Sequence, residues 1–153
     1  MWFKNLYFFA FTRPFEWSEQ DLIKHLNEHL FTPCGSTEMS HFGWVNALGK
    51  HGDSVVHSAN GNHLLCARKE EKILPAPVIK EMLEEKVAVL ENEHGRSATK
   101  KEKEQFKEDI IFELLPRAFS RVTDMHGYIN AEHNIIVVNS SRRCKAEDFL
   151  ALL

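Results

Sequence analysis

The chain has 153 residues and 43% hydrophobic content, which is typical of a globular protein with a buried core and excludes a disordered chain. Its formal net charge is only −3, so any surface that attracts an anion must be local. Three widely spaced cysteines without a C-x-x-C pair indicate neither a disulfide framework nor a zinc knuckle, and they favour a reducing cytoplasm. The apolar residues 6–11 are too few to cross a bilayer and no cleavage site follows them, so we expect no membrane partner.

The first third of the chain predicts one strand, one helix and a loop. Residues 2–12 are rich in aromatic side chains and predict a strand that is buried on both faces. Ser18, with Asp21 three residues later, predicts the capped start of a helix. Residues 31–49 contain turn residues and isolated aromatics without a sustained period, which indicates an ordered loop or short irregular pieces.

The dipeptide Asn60-Gly61 predicts a hairpin turn, because both residues tolerate positive φ. It lies between residues 53–59 and 62–69, which we expect to form two antiparallel strands.

Two helices are expected next. The first begins at Pro77 and ends before Gly95, and the second runs from the capping residue Thr99 to near Leu114. Their short connection predicts an antiparallel pair, which would form a projecting subregion over about residues 77–115.

The last third predicts a second hairpin from residues 122–130 and 134–139, followed by a helix from Ala146. Together these elements predict an α+β fold with mainly antiparallel strands and a prominent antiparallel helical pair. We expect residues 1–153 to form a single region.

A group of cations surrounds the start of the second long helix. Thr99 and Glu102 match a capping box, so the helix register is predictable. At about 100° per residue, three lysines then fall within one narrow arc of the helix surface. We call Lys100, Lys103 and Lys107 the cationic stripe. Arg96 lies just before the helix and adds a fourth cation beside the stripe. The stripe suits a polyanion with repeated phosphates, although a solvated helix face has the same pattern.

A basic and aromatic segment follows the helix-stopping Pro116, and it contains Arg117, Phe119 and Arg121. A third basic group is the turn with Arg142, Arg143 and Lys145. None of these groups has the ordered Asn, Gln or Arg set of a base-reading helix, so binding to nucleic acid would be largely independent of sequence. Phe119 could stack on a base, but a core or protein-interface position is the more usual one.

Two alternatives come from other functional classes. His25, Glu28 and His29 match the H-x-x-E-H pattern of inverted zinc peptidases and would make the chain a metal-dependent hydrolase. Nine histidines make a chance match easy, and nothing selects a third ligand. The other alternative is a protein-interaction module whose cationic stripe meets an acidic partner.

Six segments of the chain resemble the RdgC family of recombination-associated bacterial proteins. They are WFKN (2–5), FTPCGS (31–36), GWV (43–45), CARKEEKILP (66–75), LLPRAFSR (114–121) and AEDFLALL (146–153). The resemblance covers the whole chain in collinear order. Two departures are Asn46-Ala47, where the family usually has a proline pair, and a length about half that of family members.

The resemblance implies a cytoplasmic, nucleoid-associated, non-enzymatic protein without a cofactor. It would bind double-stranded DNA without sequence preference, with single strands as a further candidate partner, and it would restrain RecA-mediated strand exchange. Family members form a ring-shaped homodimer, of which this chain would supply the N-terminal half. Arg96, Lys100 and Arg117 match the basic lining of the ring, and Phe119 matches an aromatic residue at a dimer contact.

Overall fold

The computed structural model describes residues 3–153, and it has an α+β fold with a mostly antiparallel six-stranded sheet. The strands are β1 (Leu6–Ala10), β2 (Ser40–Val45), β3 (Val56–Ala59), β4 (Asn62–Lys72), β5 (Ser120–Asn130) and β6 (Ile135–Asn139). The helices are α1 (Glu19–Asn27), α2 (Ala76–His94), α3 (Lys100–Leu114) and α4 (Arg143–Leu152). The strand order is β1-β6-β5-β4-β2, and β3 pairs with β4. Among the described residues, no helix has both the length and the apolar character needed to cross a bilayer.

The chain forms two compact units. The first contains the residues up to Pro33 together with residues 41–70 and 122–153, and the second contains residues 34–40 and 71–121. The first unit holds α1, α4 and most of the sheet, whereas the second holds α2 and α3.

Both predicted hairpins are confirmed. Asn60 and Gly61 have φ values of 50° and 73°, and they join β3 to β4 with Ala59 opposite Asn62. β5 and β6 pair antiparallel, and the run of β-branched residues within 134–139 forms the second strand of this hairpin, as predicted.

The prediction that the first strand is buried on both faces is wrong. β1 lies at the edge of the sheet, with β6 as its neighbour. Tyr7 and Phe9 pack against the core, but Phe8 on the opposite face is 62% exposed and Leu6 is 40% exposed. Trp2, the first residue of the predicted strand, lies outside the described residues.

The prediction of a loop or irregular pieces is wrong at residues 40–45, which form β2. Trp44 N–H donates to the carbonyl of His29, and Phe31 N–H donates to the carbonyl of Trp44. Gly43 permits this close approach, because a Cβ placed there would lie 2.5 Å from the backbone of Phe31. The strand depends on this long-range pairing, which a local periodicity does not reveal.

The core of the first unit lies where α1 and α4 meet the sheet. Ser18 and Asp21 form the predicted capping box of α1, which directs Leu22 and Leu26 into the core. Phe149 of α4 packs edge-to-face on Trp44, with ring centroids 5.0 Å apart, and both side chains are buried. α4 begins at Arg143, three residues before the predicted start, so part of the expected basic turn is helical.

The second unit contains the expected antiparallel pair of helices. Gly95 ends α2 in the left-handed conformation at φ 60°, as its position predicts. The Glu91 carboxylate near the end of α2 accepts a hydrogen bond of 3.0 Å from Ala98 N–H, just before α3. At the other end of the pair, Lys86 of α2 lies 3.9 Å from Glu113 of α3. The two contacts lie at opposite ends of the pair, as an antiparallel arrangement requires.

Candidate nucleic-acid interface

The position of the cationic stripe is set by the cap of α3. Thr99 is the N-cap, and its hydroxyl accepts a hydrogen bond from Glu102 N–H. In return, the Glu102 carboxylate accepts one of 2.8 Å from Thr99 N–H. This reciprocal pair satisfies two donors that a helix start leaves free, so the register of the following lysines is defined locally.

The three lysines of the stripe are solvent-exposed. The Lys100 side chain is 93% exposed, and its ammonium lies 3.9 Å from Glu104 one turn further on. Within residues 3–153, Lys103 and Lys107 have no acidic side chain at ion-pair distance. From Lys100 to Lys107 the helix rises about 10 Å, so the stripe can follow a short stretch of one phosphate backbone.

Arg96 is already engaged within the protein. Its two terminal nitrogens donate to the two carboxylate oxygens of Glu102, at 3.0 and 2.7 Å. The Arg96 guanidinium, together with the hydrogen bonds from Thr99, holds the pKa of Glu102 well below its usual range. Because the Glu102 carboxylate neutralises the charge of Arg96, it limits the positive charge that this end of α3 presents to a ligand. The capping pattern predicts the contact of Glu102 with Thr99, but it does not predict the contact with Arg96.

The segment after α3 places its two arginines differently. Arg117 ends a short 3₁₀ turn, Leu115–Arg117, and is exposed with no acidic partner among the described residues. Arg121 lies in β5 and donates to Glu71 at 3.2 Å. Arg117 is therefore the more available of the two for an external anion.

Phe119 is 86% exposed, which rules out a core position within this chain. Its carbonyl accepts a 2.7 Å hydrogen bond from Ile73 N–H, so the backbone is held while the ring faces solvent. Ile73 and Met39 of the same unit are 49% and 52% exposed. Neither residue lies in a periodic element, so no sequence pattern predicts that they are exposed.

Acidic residues bound the positive region. The second half of α3 carries Glu108, Asp109 and Glu113, and Asp109 accepts a hydrogen bond from Gln105. Positive charge is therefore concentrated in the first two turns of α3. The third basic group belongs to the first unit, where Arg143 pairs with Glu147 at 2.8 Å.

In the part of the chain that the structure describes, no side chain joins His25 and His29 as a third ligand for a metal ion. His25 Nε2 is hydrogen-bonded at 2.5 Å to the carbonyl oxygen of Leu153, and the rings of His25 and His29 lie 6.2 Å apart. Among the described residues, no group of three or more His, Cys, Asp or Glu side chains is placed to hold a metal ion. Nothing in this geometry favours the hydrolase alternative.

The first unit has one further polar cluster, which lines a surface cavity of about 520 Å³. Arg68 donates to both carboxylate oxygens of Asp124 at 2.7 and 2.8 Å, and this hydrogen bonding lowers the pKa of Asp124. Burial raises the pKa of the neighbouring Cys66 thiol to about 12 and lowers the pKa of His126. Cys66 therefore stays protonated at neutral pH and is not an activated nucleophile.

The comparisons with known proteins agree with one another. The family model described as "Putative exonuclease, RdgC" matches residues 1–153. The chain is 80% identical to the recombination-associated protein RdgC of Colwellia psychrerythraea, and it is 54% identical to the proteins of that name from Tolumonas auensis and Aeromonas hydrophila. Each match covers 100% of this chain and 50 or 51% of the relative.

The chain thus spans about half the length of the curated relatives it matches. A family model that matches every residue, together with identities of 54–80% over the whole chain, confirms the relationship that the six segments indicated. The chain belongs to the RdgC family.

Proposed function

We propose that this chain binds double-stranded DNA without sequence preference, through the cationic stripe and Arg117. The observation that carries the proposal is the exposure of Lys103 and Lys107 without an acidic partner among residues 3–153, beside the exposed Lys100. Point charges repeated along one helix face suit phosphates, which repeat, and they carry no information about base sequence. Arg96 and Arg121 contribute less in this proposal because each is paired with a glutamate.

The names of the relatives support a biological role in recombination. The relatives are named recombination-associated proteins. A homodimer that coats duplex DNA would make it less available to RecA filaments, and so would restrain strand exchange by occlusion in the nucleoid. The action in this proposal is binding without cleavage.

The test is binding of a fluorescent duplex of arbitrary sequence to the 153-residue chain across a salt series, with the mass of each species recorded. Contacts from the three lysines and Arg117 predict a log-log slope of about −3.6 per bound chain, and a dimer that uses both surfaces predicts about twice that value. A second duplex of unrelated sequence should bind equally well.

Two results would contradict the proposal. One is a salt slope near zero, and the other is the absence of binding by a folded chain. The family description also calls for a cleavage control, in which end-labelled duplex is incubated with the chain and Mg²⁺ or Mn²⁺. Release of labelled nucleotides would replace the binding-only proposal with an exonuclease.

Replacing Glu102 by glutamine should strengthen DNA binding. Glutamine keeps an oxygen for the Thr99 cap, but it removes one negative charge beside the stripe and frees Arg96 for a phosphate. One additional contact predicts about tenfold tighter binding near 50 mM salt and a slope steeper by about 0.9. The same charge change at Glu132, exposed in the turn between β5 and β6, is the matched control and should leave affinity unchanged. Equal effects of the two variants would contradict a local role for Glu102.

Replacing Phe119 by aspartate should prevent dimerisation. In a twofold interface the contact occurs twice, and burying each phenylalanine contributes about 1.5–3 kcal/mol, so the dimer should weaken by about 100-fold or more. Sedimentation over a concentration series measures the change. Phe112→Asp is the control, because Phe112 is 63% exposed on α3 of the same unit. Association that survives Phe119→Asp, or that both variants weaken equally, would contradict a specific contact at Phe119.

A further inference from the structure

The outer edge of β1 presents backbone groups that pair with no other strand among residues 3–153. Two backbone hydrogen bonds flank the pairing of β1 with β6: Ser140 N–H donates to the Asn5 carbonyl, and Phe11 N–H donates to the Asn134 carbonyl. Between these two bonds the register is continuous, and it begins with Leu6 opposite Asn139. Hydrogen-bonding direction alternates along an antiparallel strand, so odd-numbered residues point their backbone groups toward β6. The N–H and C=O groups of Leu6, Phe8 and Ala10 therefore point away from the sheet, and β1 has no second neighbouring strand among the described residues.

This edge lacks the features that normally prevent strand pairing. Exposed edge strands usually carry charged residues, a proline or a bulge. The five residues of β1 are Leu-Tyr-Phe-Phe-Ala, and they pair in continuous register with β6. Phe8 is 62% exposed, so the edge offers an apolar side chain as well as backbone hydrogen bonds. Such an edge is expected to be covered by another polypeptide segment.

An apolar groove adjoins the same strand on its other face. The groove has a volume of about 490 Å³. Aromatic and aliphatic side chains line it, namely Phe9, Phe11, Phe15, Trp17, Ile136 and Leu153. Phe9, Phe11 and Phe15 are half-buried in the groove, whereas Trp17 is 46% exposed at its surface. β1 thus offers apolar contact on both faces to any strand that pairs with its edge.

The relatives indicate what occupies this edge. In the protein from Colwellia psychrerythraea, half of the polypeptide lies outside the segment that matches this chain at 80% identity. Leu153, the last residue of the matched segment, itself lines the groove. A segment joined to the same chain has an effective concentration in the millimolar range, about a thousandfold above a second copy at micromolar concentration. Intramolecular coverage is therefore favoured over self-association.

We propose that the outer edge of β1 pairs with a strand from the second half of the RdgC-family polypeptide, which extends the sheet and fills the adjoining groove. The proposal rests on the family membership and the geometry of β1, and it does not depend on DNA binding. Backbone pairing would supply affinity, while Phe8 and the groove would select the apolar side chains of the added strand.

Amide hydrogen exchange, read residue by residue by NMR, tests the proposal in two proteins: this chain and the full-length relative from Colwellia psychrerythraea. In this chain the amides of Leu6, Phe8 and Ala10 should exchange quickly, whereas those of Tyr7 and Phe9 are paired with β6 and should exchange slowly. In the full-length protein the amides aligned with Leu6, Phe8 and Ala10 should slow by about 100-fold or more. Tyr7 and Phe9 are internal controls that should be protected in both proteins.

Equal exchange of the three outward amides in the two proteins would overturn the proposal. Protection that appears in this chain and rises with its concentration would also overturn it, because a second copy would then be the occupant. Loss of DNA binding without a change in this protection pattern would affect the proposed function alone, so the two proposals fail separately.

Discussion

Replacing Lys100, Lys103 and Lys107 together by glutamate is expected to weaken duplex binding by about 1,000-fold or more at about 50 mM salt. At that salt concentration the release of counterions contributes about tenfold for each phosphate contact, and three contacts are lost together. The introduced carboxylates also repel the backbone, so binding should fall below detection in the fluorescence assay.

The triple variant should remain folded. All three side chains are exposed, and negative charge near the N-terminus of α3 interacts favourably with the helix dipole. This benefit opposes the new repulsion between glutamates one turn apart, such as positions 100 and 104. Circular dichroism and thermal unfolding check the fold. The neutral variant with glutamine at the three positions should lie between the wild type and the charge reversal.

The matched control changes three exposed lysines of the first unit, Lys4, Lys24 and Lys50, to glutamate. It alters the net charge by the same amount as the stripe variant. If the stripe is a binding site, the control should lose far less affinity. Equal losses would mean that net charge governs binding, and unchanged affinity in the folded stripe variant would contradict the assignment of Lys100, Lys103 and Lys107.

The parts of the fold that the sequence predicted well depend on signals a few residues long. Neighbours within about four residues determine three such features: the turn at Asn60-Gly61, the end of α2 at Gly95 and the cap of α3 at Thr99. In such cases the backbone preference of a residue and the final structure agree, because no distant contact has to be known.

The parts that were missed depend on distant partners. β2 forms because the segment from His29 to Phe31 lies beside it, and β1 is half-exposed because of its place in the strand order. In the candidate interface, too, local features were predictable and contacts between distant residues were not. The arc of lysines follows from helix geometry, but the pairing of Arg121 with Glu71 joins residues 50 positions apart and has no local signal.

Replacing Gly43 by alanine is expected to reduce the free energy of unfolding by about 3 kcal/mol or more, which corresponds to a loss of about 10 °C in melting temperature. The added Cβ would lie 2.5 Å from Cα and N of Phe31 and 2.8 Å from the carbonyl carbon of Leu30. Carbon atoms approach favourably only to about 3.5–4 Å, so this segment would have to move by about 1 Å.

Such a movement would affect more than one contact. The hydrogen bonds that join Trp44 to His29 and to Phe31, both 2.9 Å, flank the point of collision, so moving the segment would stretch both. Gly35→Ala is the control: its Cβ would meet the flexible Glu38 side chain at 3.4 Å, so its effect should stay within about 0.5 kcal/mol. If Gly43→Ala were as mild as this control, the backbone near Phe31 would have to yield freely, and β2 would not depend on that pairing.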